Sequence, residues 1–192
     1  MSTAAVFERT DRELWIVTAR AGERTGGLVA TFVNQASIVP ELPRVLVGLA
    51  RQHHTTRLAE ASGAFALHLI GEDRLDWVWR FGLASGRDMD KLHGLPWQIG
   101  TTGSPLLDDA LAWLDCRVEA KLNTGDRTVY LAEVVASALQ STASPLTMKQ
   151  MLQQAPRDKL AALKEQLQRD ALIDAEAIRA WQNALNADKT HR

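Results

Sequence analysis

A chain of 192 residues suits one ordinary domain, or one domain with an appendage, and its 46% apolar content is enough for a sizeable core. The net charge of −1 excludes a protein held on nucleic acid by an overall basic field. No run of about 18 apolar residues is present, the single Cys116 cannot form an internal disulfide or a zinc cluster, and "MSTAAVFERTDREL" lacks the layout of a secretory signal, so the expectation is a soluble, cytoplasmic protein with no membrane role.

In chain order, "LWIVTAR" (14–20) alternates as a strand, "AGERTGG" has the composition of a turn, and "LVATFVN" predicts a second strand. "QASIVPELP" breaks the ladder, because Pro40 and Pro43 donate no backbone hydrogen bond. "RVLVGLA" reads as a strand buried on both faces. Thr55 or Thr56 is expected to cap a helix running to about Ser62, with Gly63 suited to a left-handed exit. "AFALHLI" is the next strand and "RLDWVWRFG" a short apolar helix or turn. In "WLDCRVEAKL", Leu114, Cys116, Val118, Ala120 and Leu122 share one face, and "NTGD" turns this strand into "RTVYLAEVVASAL" as a long hairpin. Five or six strands with one short internal helix predict a mainly β (α+β) fold, a small barrel over residues 1–143. From residue 144 a helical extension follows, to residue 192. Thr147 with Gln150 forms a capping-box pattern, Leu160, Leu163, Leu167 and Ala171 make one helical stripe, and Ile178, Trp181 and Leu185 make another after an Asp174 cap. Such helices are stable only when docked on the barrel or on a second copy.

The stretch "LARQHHTTRLAEASG" gathers hydrogen-bonding groups at a strand-to-helix junction. Free amides and the positive end of a helix outline a phosphate site there. Thr55 and Thr56 add hydroxyls, Arg51 can fork onto phosphate oxygens, and His53 or His54 can donate. Capping threonines and a solvated arginine account for the same pattern, so the residues alone leave both readings open. Adjacent histidines diverge too far to chelate one ion easily, and no metal site is expected. No G-x-G-x-x-G or G-x-x-x-x-G-K-[ST] occurs, which disfavours a dinucleotide fold and a P-loop.

"GLVATFVNQASIVPELPRVLVGLARQHHTTRLAEASGAFALHLI", followed by "WRFGLASGRDMDKL" and "GSPLLDDALAWLDCRVEAKLNTGDRTVYLAEV", resembles the flavin reductase-like, FMN-binding split-barrel family in the order and spacing of its elements. The resemblance spans about Leu14 to Ala138. It implies a homodimer of split β-barrels that binds FMN near the dimer interface and takes NADH or NADPH as electron donor. It places Thr31, Phe32, Val33, Asn34, Gln35, Ala36 and Ser37 along the isoalloxazine. It assigns Arg51, His54, Thr55 and Thr56 to the phosphate, and sets Phe81 and Lys91 close to the cofactor. Many members read Gly-Asp-His at the late hairpin where this chain has Gly125-Asp126-Arg127. An arginine cannot donate a proton near neutral pH, though it can pair with a nucleotide phosphate.

Two functional classes follow from the resemblance. One is an NAD(P)H-dependent flavin reductase, with hydride passing from nicotinamide C4 to flavin N5 and no catalytic side chain required, serving a monooxygenase or another acceptor protein. The other is a non-enzymatic, flavoredoxin-like FMN electron carrier for a partner protein. His68 and Cys116 are expected to be core residues. Trp77, Trp79, Trp97 and Trp113 are expected to anchor the core or an interface, or, for one of them, to cover a flavin face.

Overall fold

The computed structural model describes residues 3–84 and 89–190; positions 85–88, inside the "WRFGLASGRDMDKL" segment quoted above, lie outside the described residues. After a short helix α1 (Thr3–Phe7), β1 (Trp15–Ala21) turns directly into β2 (Arg24–Ala30). Gly22, at φ +60°, supplies the left-handed residue of this two-residue loop. The tight turn pairs Ala21 with Arg24 and Trp15 with Ala30. Most of the expected "AGERTGG" turn is therefore strand, with Gly26 and Gly27 opposite Ala19 and Thr18.

The chain continues through β3 (Val33–Gln35), β4 (Arg44–Ala50), α2 (His54–Ser62) and β5 (Ala64–Leu69) to α3 (Leu75–Gly82). A small hairpin of β6 (Trp97–Ile99) and β7 (Pro105–Leu107) precedes the long strands β8 (Ala112–Asn123) and β9 (Arg127–Leu139). The main sheet has seven strands in the order β2-β1-β5-β8-β9-β4-β3, every neighbouring pair antiparallel. It curls into a half-barrel, so the fold is the expected mainly β class with C-terminal helices.

Alternation along β1 feeds two cores. Val17 packs inside the curl with Leu49, Phe65, Leu67 and Tyr130, while Ile16 faces a second cluster of Leu14, Ile70, Trp77, Phe81 and Leu107. Cys116 is fully buried in the first cluster, and burial pushes its thiol pKa up, as an inert core cysteine requires. His68 is fully buried, its Nδ1 lies 3.0 Å from Ile16 O, and burial drives its pKa down to about 4. It is a neutral core residue. The face pattern expected along β8 is interrupted at Asp115/Cys116, where a register shift buries both residues. Asp115 is satisfied there by the Thr102 amide at 2.9 Å and by the Thr102 hydroxyl.

The C-terminal segment is sewn into the second cluster. Leu146 is fully buried, accepts from Leu14 N at 2.9 Å and donates to Ile70 O at 2.8 Å. Thr147 then caps α4 (Met148–Gln154) with the full capping box that the sequence implied. The last element corrects an expectation. Asp174 starts no new helix; α5 (Arg157–Thr190) runs unbroken through it. Its carboxylate is engaged by Arg127 and Gln52 across space, and Ala171, Ala175 and Ala177 favour a continuous helix around it.

The glycines of β2 lie under α2 and α3. A Cβ at Gly26 would sit 3.0 Å from Leu58 Cδ1 and Thr55 Oγ1, and one at Gly27 would sit 2.5 Å from the Phe81 ring. Gly27→Ala is accordingly expected to destabilise the protein by about 1–3 kcal/mol through forced displacement of Phe81, seen as a lower urea midpoint with an unchanged slope.

Candidate functional site

A cleft of about 790 Å³ opens between the rim of the half-barrel and the C-terminal helices, a size typical of cofactor pockets. Its barrel side is apolar, formed by Val29, Ala30, Leu49, Val78 and Phe81, and Met148, Met151 and Leu163 close it from the helical side. Polar groups gather at its ends: Thr31, Gln52, His53, His54, Thr55, Lys91 and Arg127.

The junction after β4 has a different cap from the one expected. His53, at φ −74° and ψ 141°, occupies the N-cap of α2 and makes no side-chain capping bond. Thr56 lies within the first turn, fully buried, and its hydroxyl donates to Ala50 O at 2.8 Å. That bond ties the helix start back to the end of β4. Thr55 is also buried but borders the cleft. The α2 N-terminus thus reaches the cleft without a side-chain cap from His53. Gly63 takes the predicted left-handed exit at φ +68°.

Lys91 is only 6% exposed. Asp90 Oδ1 accepts from Leu92 N at 3.0 Å, which sets the turn from which Lys91 reaches inward. Its Nζ donates to Gly27 O at 3.0 Å and Phe81 O at 2.6 Å, using two of three donors, and it has no carboxylate partner among the described residues. Burial lowers its pKa from 10.5 to about 8. His53 is shifted down as well, chiefly by burial, with Asp170 pulling the other way and Lys91 and Arg127 adding to the fall.

Arg127 also borders the cleft. Its Nε lies 3.4 Å from Asp126 Oδ2, its Nη2 lies 3.3 Å from Asp174 Oδ2, and its Cζ is 5.0 Å from the centroid of the Phe32 ring. Arg12 approaches the same ring at 5.2 Å.

Of the residues singled out from sequence, Thr31, Phe32, His54, Thr55, Phe81 and Lys91 meet at this cleft. The others lie elsewhere in the single chain. Val33, Asn34 and Gln35 form β3, which pairs only with β4 at the sheet edge, and Asn34 and Gln35 are exposed. Ala36 N donates to Arg44 O at 2.8 Å, and Ser37 Oγ accepts from Val39 N at 3.1 Å, so both serve the β3–β4 connection. Arg51 turns to the β8–β9 loop, 3.4 Å from Asn123 Oδ1 and Gly125 O. Thr56 is spent on Ala50. Among the tryptophans, Trp79 borders the cleft, while Trp77 is core. Gly27, Gln52 and the α5 residues Gln166, Asp170 and Asp174 also border it; of these the sequence marked Asp174 only as a helix cap and none as a site residue. Only the helical phase of α5, with 163, 167, 170, 171 and 174 on one stripe, hinted at them.

The donor set suits a flat apolar ring with an anionic tail. The walls are hydrocarbon, one buried ammonium has carbonyls but no counter-ion among the described residues, and a helix N-terminus lies alongside.

Comparison with known proteins gives the family. The flavin reductase like domain matches residues 7–154, and the chain belongs to that family. It is 29% identical over 136 residues to the high molecular weight rubredoxin of Moorella thermoacetica, covering 70% of this chain and 58% of that protein. It is 27% identical to the ferric-chelate reductase (NAD(P)H) of Archaeoglobus fulgidus, covering 73% of this chain and 83% of the relative. Among solved structures, nitrilotriacetate monooxygenase component B from Mycobacterium thermoresistibile superposes with a TM-score of 0.66 at 26% identity, over 74% of this chain and 78% of the other. The chain thus spans little more than half of that rubredoxin, and 21% of a matching diflavin flavoprotein from Synechocystis. The family match includes α4 and stops before α5.

The buried lysine has a measurable consequence. An unfolded chain keeps the Lys91 proton up to about 10.5, whereas the folded protein releases it near 8. Between those values the unfolded state binds more protons, so stability rises with pH. Urea midpoints of wild type and Lys91→Met, compared across this window, should show wild type gaining on the variant as pH rises and no pH-dependent difference below it.

Proposed function

We propose that this chain is an FMN-binding oxidoreductase acting as an NAD(P)H:flavin reductase, with hydride passing from nicotinamide C4 to flavin N5. The observation that carries this reading is the apolar cleft with the buried Lys91 at one end, in a chain of the flavin reductase-like family. The ferric-chelate reductase (NAD(P)H) relative supports the choice of a nicotinamide donor. When bound, the flavin supplies the redox chemistry, so the protein needs neither a nucleophile nor a carboxylate pair.

The residues have distinct tasks in this reading. Phe81, Val29 and Ala30 form a dry floor for the ring, and Thr31 and Phe32 border one edge of the cleft. Thr55, His54 and the α2 amides face the phosphate. Lys91 supplies positive charge whose desolvation cost an anion offsets. We place Arg51 and residues 33–37 in the cofactor environment only as part of a homodimer, whereas Thr56, buried and bonded to Ala50 O, holds the start of α2 instead. That dimer is supported by exposed Ile38, Val39, Leu42 and Leu46 on the β3–β4 hairpin, an apolar edge suited to a second copy.

A second reading, an FMN electron carrier serving a partner such as a monooxygenase component, is favoured by Arg127 where many relatives have histidine. The similarity to a rubredoxin that is longer than this chain points the same way. One experiment separates the two. FMN-loaded protein mixed anaerobically with NADH or NADPH should lose its oxidised flavin absorbance with at least one donor. A flavin that stays oxidised with both donors yet bleaches with dithionite selects the carrier. A protein that takes up no flavin defeats both readings.

A further inference from the structure

The helix α5 lies beyond the family match, yet it forms one wall of the cleft. It is tied to both rims. On one side Gln166 Nε2 donates to Gly82 O, at the end of α3, over 3.1 Å. On the other, Asp174 Oδ2 lies 3.3 Å from Arg127 Nη2, and Asp174 Oδ1 accepts from Gln52 Nε2 at 3.3 Å. Residues 166 and 174 are about 12 Å apart along a helix, so α5 bridges the cleft between these two attachments. Further along, its backbone rests on the β8–β9 loop at Gly125, where a Cβ would lie 2.8 Å from Ala177 O and 3.0 Å from Ile178 Cα.

The apolar part of this docking is uneven: Leu163 packs against the second core cluster, and Ile178 and Trp181 are half-buried. Leu167 borders the cleft but remains 58% exposed, and Leu172 and Ile173 are exposed as well. Before α5, Ala155 takes an extended ψ of 136° ahead of Pro156, which separates α5 mechanically from the well-anchored α4. Over the cleft itself, between Leu163 and the seat at Gly125, the helix is fixed mainly by the Gln166 and Asp174 contacts, and this span can shift when a better partner for those contacts arrives.

Arg127 is the contact in question. It sits between Asp126 and Asp174, so the cluster carries one negative charge in excess and holds no free positive charge for an anion. Arg127 pairs in the sheet with Ala50, one residue before the junction that leads to the α2 N-terminus. Released by Asp174, its guanidinium would face the same end of the cleft as that helix terminus. A phosphate offers it bidentate, charge-assisted bonds stronger than a single carboxylate contact at 3.3 Å.

We propose that α5 is a displaceable wall of the flavin cleft, and that Asp174 is its specificity-determining residue, competing with the phosphate of an incoming nucleotide for Arg127. The inference rests on the flavin reading of the cleft. The phosphate can belong to the flavin mononucleotide itself or to the nicotinamide dinucleotide, and different titrations tell these apart.

The test uses full-length wild type, Asp174→Asn and Arg127→Gln, titrated with FMN and with riboflavin, which share a ring and differ by the phosphate. If the flavin phosphate is the competitor, Asp174→Asn tightens FMN by about three- to tenfold and leaves riboflavin within about twofold, and Arg127→Gln removes most of the preference for FMN. If the dinucleotide is the competitor, both flavins are unchanged and NADH binding to the FMN-loaded protein tightens in Asp174→Asn by the same factor. FMN and riboflavin shifting together, or no ligand shifting at all, overturns the proposal. Wild type that binds no flavin defeats the flavin reading instead, and inorganic pyrophosphate then serves as the probe. Pyrophosphate should speed amide hydrogen exchange over residues 163–178 in wild type and not in Arg127→Gln; unchanged exchange in wild type overturns the competition at Arg127.

Discussion

At Gly26 and Gly27 the first hairpin carries no side chains, and α2, α3 and Lys91 all come to rest in the space this leaves. Thr55 and Leu58 of α2 approach Gly26, the Phe81 ring of α3 covers Gly27, and the Lys91 ammonium bonds the carbonyls of both Gly27 and Phe81. Any side chain at Gly27 would meet the Phe81 ring before α3 reached its seat. A strand with no side chain on either face at this point thereby lets α2 approach from one side at Gly26 and the Phe81 ring from the other at Gly27, with Lys91 tying the Gly27 and Phe81 carbonyls together.

The two cations that border the cleft differ in charge logic. Lys91 is surrounded by backbone carbonyls, so its positive charge is unneutralised by any described carboxylate and costs free energy until an anion approaches. Arg127 is neutralised twice over, by its sequence neighbour Asp126 and by Asp174 from a helix more than 40 residues away in the chain. A ligand entering between them meets one cation that is available and one that is occupied. That asymmetry, more than the size of the cleft, gives the site its selectivity in our reading.

Much of the fold was legible because local chemistry agreed with the final structure. "AFALHL" is β5, and the Thr147/Gln150 pair caps α4 with both of its expected bonds. The apolar run "RVLVGLA" is β4, but it is not buried on both faces as expected, since it lies next to the short edge strand β3 and leaves Arg44 and Leu46 exposed. The misreadings have physical causes. "AGERTGG" looks like a turn because glycines favour turns, but a loop needing only Gly22 and Glu23 puts the glycine pair inside the strand. Asp174 looks like a helix cap because aspartate competes for its own backbone, yet here its carboxylate is satisfied by Arg127 and Gln52. Thr56 looks like a cap and instead donates backwards to Ala50.

For the site, the order and spacing of consecutive elements carried the resemblance to the flavin reductase-like family, and that resemblance proposed Thr31, Phe32, His54, Thr55, Phe81 and Lys91, which share the cleft. Residue types alone left the junction open between a phosphate site and an ordinary helix start. Tertiary structure alone decided that Lys91 is buried without a described counter-ion, that Arg51 turns away to the β8–β9 loop, and that α5 lies across the cleft with Asp174 on Arg127. Those facts depend on which distant segments share a desolvated space. Periodicity along a chain reveals which face of an element is apolar, but not which charge it will meet on the other side.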